Sequence, residues 1–118
     1  MDTKSVIYGT ILFIIMHICV WMSTNLQFVK PELRDKSIII SLCLAIPTTL
    51  LAYYASRFIY EGLEETLWSV RFIGFGVSYL VFPILTWLIM NETMFTVKTM
   101  ICVILSFIIV AIQLFWPT

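Results

Sequence analysis

The chain has 118 residues, 61% of them hydrophobic and 12% charged, with a mean hydropathy of +1.02. A soluble domain averages about 45–50% apolar and about 25% charged residues, and so small a globule cannot hide that excess in a core. The expected class is therefore an all-α integral membrane protein with the lipid bilayer as its solvent. Seven basic residues balance seven acidic ones, which excludes the basic footprint of a nucleic-acid binder.

A membrane span needs about 20 mostly apolar residues, and four runs qualify. The first covers roughly 5–26. Lys4 makes a weak basic start, but the run is long and no A-x-A-like site follows, so a retained helix is expected rather than a signal peptide. The loop "QFVKPELRDK" comes next, with Pro31 and five charges. The second span covers roughly 37–60 and ends at the acidic turn "EGLEE". The third covers roughly 66–90. After the loop "NETMFT", the fourth covers roughly 97–116, with Asn91 or Thr93 and Thr96 as candidate N-caps.

Short loops make neighbouring helices antiparallel, so one transmembrane domain over 1–118, a four-helix bundle, is expected. Trp68, Trp87 and Trp116 sit near span ends, where interfacial aromatics belong. Pro47 and Pro83 fall inside the second and third helices and favour kinks there. Both termini and the 61–65 turn share one side, with three basic residues: Lys4, Arg57 and Arg71. The other side has four: Lys30, Arg34, Lys36 and Lys98. This asymmetry slightly favours a cytoplasmic 27–36 loop. It is also weak enough to allow insertion both ways round, and so an antiparallel dimer.

Ionisable residues inside a membrane are costly and mark function by default. The single histidine, His17, lies near the middle of the first helix. His17, Trp21, Thr24 and Asn25 fall at i, i+4, i+7 and i+8, one polar stripe that should face protein or a water-filled cavity. An imidazole titrates near pH 6.5 when unperturbed and could carry a proton. It could equally be a neutral ring bonded across helices. Arg57 and Arg71 flank the acidic turn. Either they snorkel and pair with its glutamates, or one or both line a vestibule that attracts an anion. Gly74 and Ser78 form a small-xxx-small pair suited to close helix packing. Tyr53, Tyr54 and Tyr60 give the second helix an aromatic end.

Cys19, Cys43 and Cys102 lie in apolar runs without metal-ligand spacing, and their odd number gives no disulfide framework. They are expected to be small buried side chains. There is no carboxylate pair within a span, no nucleophile elbow and no phosphate loop. Neither an enzyme nor a cofactor is expected.

The stretch from Leu67 to Phe115 carries a resemblance. It has an early Trp68-Ser69, a helix rich in small residues, an acidic loop residue at Glu92 and a uniformly apolar last helix. In this it resembles the second half of small four-helix members of the drug/metabolite transporter superfamily. It is similar to the small multidrug resistance proteins, and matches an uncharacterised bacterial four-helix group slightly better through Trp21 and Ala55-Ser56-Arg57. The resemblance implies a homodimeric transporter unit of the bacterial inner membrane, antiparallel assembly being allowed. The small multidrug resistance proteins exchange protons for cations at a mid-membrane glutamate of helix 1. The comparable place here holds His17 and helix 1 has no acid, which argues against cation export.

The expected function is thus a small carrier of a neutral or anionic metabolite. His17 would be its gate or proton-coupling group, Trp21 and Asn25 would shape its pocket, and Arg57 or Arg71 would bias it toward anions. Rocking of helices 2 and 3 would alternate access. The alternative is a non-transporting interaction protein or accessory subunit whose polar stripe is a helix–helix contact.

Overall fold

In a computed structural model describing residues 2–116, four helices follow one another: α1 (Thr3–Val29), α2 (Arg34–Gly62), α3 (Leu67–Met90) and α4 (Val97–Phe115). A short 3-10 turn, Pro31–Leu33, leads into α2. All four are long and apolar enough to cross a membrane, and the protein is an all-α integral membrane protein. The helices outrun the expected spans where polar residues extend them. Asp2 caps α1 by accepting from the Lys4 and Ser5 amides, and α2 begins on Arg34-Asp35-Lys36.

The bundle is flattened. Its extents are 50 × 37 × 18 Å, and a helix with side chains is about 10–12 Å across, so the helices lie closer to a row than to a square. α1 packs most extensively on α2 and then on α3, while α4 packs on α3 alone. The apolar centre joins Phe13 of α1, Ala55 and Ile59 of α2, and Val70, Val77 and Val81 of α3. The outer faces carry large apolar side chains such as Leu42, Ile46 and Ile104, as a lipid-facing surface should. Trp68, Trp87 and Trp116 are exposed near helix ends.

Two expectations change. Cys19 is half-buried, but Cys43 and Cys102 are exposed. Lipid exerts no pressure to bury an apolar side chain between helices, so apolar context does not imply burial. Asn91 does not cap α4. It ends α3 in the left-handed region at φ 58°, a conformation that asparagine tolerates better than most residues. Thr96 is the N-cap of α4, its hydroxyl accepting from the Thr99 amide.

Close approach of α4 depends on Gly76. A Cβ at that position would lie 2.9 Å from Cγ2 of Val110. Gly76→Ala is expected to cost about 1–3 kcal/mol through overpacking and to loosen α4 alone. Amide exchange should rise along α4 while α1 and α2 stay protected, and Val110→Ala in the same chain should restore protection.

Candidate functional site

The polar stripe of α1 faces α3, and two cavities adjoin at its first member, His17. The larger, about 520 Å³, runs along Trp21, Thr24 and Asn25 on α1, opposite Phe75, Tyr79 and Phe82 on α3. The smaller, about 280 Å³, is bounded by Phe13 and Met16 of α1, Ser56 of α2, and Arg71 and Gly74 of α3. His17, Phe75 and Ser78 belong to both. The α3 wall has its own helical spacing: Arg71, Phe75, Ser78, Tyr79 and Phe82 fall at i, i+4, i+7, i+8 and i+11.

The His17 ring is oriented by backbone. Its Nε2 lies 2.9 Å from the Gly74 carbonyl oxygen. A carbonyl only accepts, so Nε2 carries the proton and donates it. In the neutral ring Nδ1 is then an acceptor. Among the described residues Nδ1 has no hydrogen-bond partner, and Thr48 Oγ1 is the one sealed side-chain polar atom left unpaired, so Nδ1 is not sealed. Gly74 eases the approach, since a Cβ there would sit 3.3 Å from the Phe13 ring, tighter than ordinary contact. The small residue at 74 therefore serves the α1–α3 contact.

Trp21 is 3% exposed. Its indole Nε1 donates to Thr86 Oγ1 at 3.0 Å. Asn25 donates to Thr24 Oγ1 at 3.0 Å, and Thr24 in turn donates to the Val20 carbonyl. These last two residues bond within α1 and make no bond to α3.

Of the two arginines, only Arg71 shares a cavity with His17. It lies one turn into α3 and makes no ion pair among the described residues, where Arg57–Glu61 is the one pair. Arg57 opens into a separate groove with Tyr53, Tyr60 and Ser56. It meets Glu61 at 3.3 Å with both side chains exposed, an arrangement worth about 0–1 kcal/mol. Ser56 borders both spaces.

No carboxylate lines either cavity at His17. A separate cavity of about 290 Å³ between α3 and α4 holds Glu92 with Thr86 and Thr99. Among the described residues no three His, Cys, Asp or Glu side chains gather as a metal would require. Sequence reasoning missed Thr86, Ser56, the Gly74 carbonyl and the aromatic wall of α3. The spacing of that wall was available as a signal. The partners of His17 and Trp21 were not, because periodicity says which residues share a face and not what the face meets.

The chain matches no protein-family model, no curated protein and no solved structure. Fold and site define an integral membrane four-helix protein with an ionisable slot between its first and third helices.

Proposed function

We propose that this protein is a small secondary carrier of a neutral or anionic metabolite, coupled to protons through His17. The observation that carries the reading is the slot itself. Between α1 and α3, His17 and the exposed Arg71 border open space that no acid lines. A cation has no counter-charge there. Protonating His17 at Nδ1 places a second positive charge beside Arg71, so proton and anion favour each other's binding. The titratable or charged groups around the ring are Arg71 and Tyr79, both on α3, while α2 contributes Ser56.

The layout shared with four-helix drug/metabolite transporters supports this reading, and with it a homodimer in a bacterial inner membrane. The near balance of basic residues across the membrane, and the packing of α4 on α3 alone, leave room for a second copy in either orientation.

The test is flux in proteoliposomes under an imposed pH gradient, across a panel of small anionic and neutral metabolites. His17→Gln keeps a donor for the Gly74 carbonyl but cannot titrate. It is expected to retain the fold and lose the proton-driven component, about 10²-fold or more as for a lost acid–base group. Unchanged pH dependence in His17→Gln would overturn the coupling role. One observation favours the accessory-subunit alternative: His17 Nε2 and Trp21 Nε1 both tie α1 to α3. That reading expects no flux from any solute and co-purification with a larger membrane complex.

A further inference from the structure

The two cavities that meet at His17 differ in chemistry, and their order along the slot describes a ligand. At one end are Arg71, exposed and without an ion pair among the described residues, and Ser56. At the other end the walls are Trp21, Tyr79 and Phe82, with Thr24 and Asn25 of α1 beside them, and Phe75 borders both ends. We infer that the slot takes an amphiphilic monocarboxylate, its carboxylate at Arg71 and Ser56 and its apolar, ring-sized tail against the α3 aromatics. This rests on the reading of the slot as a substrate site and deepens it to a substrate class.

Charge, shape and size each support the assignment. With His17 neutral, the polar end holds one formal positive charge, which matches one negative charge. The planar guanidinium pairs bidentately with a carboxylate, and Ser56 supplies a further donor. A cavity of about 150 Å³ already holds a benzene ring, so the aromatic end, about 520 Å³, accommodates a ring with a short chain. His17 stands at the junction, where it borders whatever links head to tail. An acid-free arginine in a membrane could also hold the phosphodiester of a lipid. The same head-and-tail chemistry then has a second source, which the test separates.

The single histidine of the chain is a unique reporter. The protein, ¹⁵N-labelled at histidine, is placed in phosphatidylcholine nanodiscs and titrated with phenylacetate, acetate and 2-phenylethanol. Phenylacetate is expected to shift the His17 ring signal saturably and to bind at least about tenfold tighter than either fragment analogue. Arg71→Gln should weaken phenylacetate binding about ten- to a hundredfold, the scale of a lost charged hydrogen bond. It should leave 2-phenylethanol unaffected, and Arg71→Lys should fall between. Equal affinity for all three probes would overturn the inference, as would an Arg71→Gln chain that still prefers phenylacetate. So would a His17 signal that answers to phosphatidylglycerol in the disc and no longer to phenylacetate, since the occupant would then be a lipid headgroup. Binding of phenylacetate without flux of any solute would overturn the carrier reading and leave this one standing. Proton-coupled flux of a neutral solute, with no carboxylate preference in binding, would do the reverse.

Discussion

Gly9→Leu is expected to leave no stably folded protein. Gly9 is a point of close approach between α1 and α2. A Cβ built there would lie 2.7 and 2.8 Å from two side-chain carbons of Ile59 and 3.0 Å from the backbone oxygen of Ala55. Ile59 and Ala55 have no exposed surface, so neither can swing away, and a carbonyl within a helix cannot yield. Without a hydrophobic drive between helices in lipid, close packing at small residues is a main source of helix association. Gly9→Ala should therefore cost about 1–3 kcal/mol, against a total of about 5–15 kcal/mol for a typical fold. Leucine adds three more carbons and should exceed what the α1–α2 pair can absorb. The check is unfolding by denaturing detergent, followed by circular dichroism and by gel filtration. Gly9→Ala should be rescued in part by Ile59→Ala, with the coupling read from the double-mutant cycle. A Gly9→Ala chain as stable as the parent would mean that α1 and α2 do not meet at this point.

Particular residues show how much of this arrangement was legible in the sequence. The spans were, because apolar runs of sufficient length have few alternatives in a chain with 12% charge. Their ends were less so. Arg34, Asp35 and Lys36 are helical although hydropathy places them in a loop, because backbone hydrogen bonding continues past the apolar boundary. Asn91 illustrates a chemical ambiguity: asparagine suits both the start of one helix and the left-handed end of another, and composition does not choose between them. The α1 stripe could be read as one face from its spacing. The separation of Arg57 from Arg71 could not. Both flank the same turn, and which way each points depends on the rotation of helices that are apolar nearly all round. The acidic turn was legible as a turn, but the positive φ of Glu64 and Glu65, 58° and 56°, was not, since glutamate carries no preference for that region.

Trp21→Ala is expected to have the largest effect of any substitution within the slot, in stability and in function together. The indole is 3% exposed while its neighbours on the stripe line open space, so it acts as a packed wall. Removing a buried tryptophan side chain costs about 3–5 kcal/mol, most of it lost packing, since the bond to Thr86 accounts for only about 0.5–1.5 kcal/mol. The position of that bond matters as much as its strength. Pro83 has no amide to offer the Tyr79 carbonyl, so α3 is weakened just before Thr86. His17 holds α1 to Gly74 on one side of the proline and Trp21 holds it to Thr86 on the other. Losing Trp21 should free the segment from Pro83 to Met90 while Leu67 to Ser78 stays anchored. Amide exchange in Trp21→Ala should rise after residue 83 and change little before 78. Thr86→Val should cost only the bond to Trp21, and should cost close to nothing further in a Trp21→Phe chain, where the bond is already lost. Uniform loosening of α3 would mean instead that the proline does not divide it, and that the alternating exposure a carrier needs has to come from a different element.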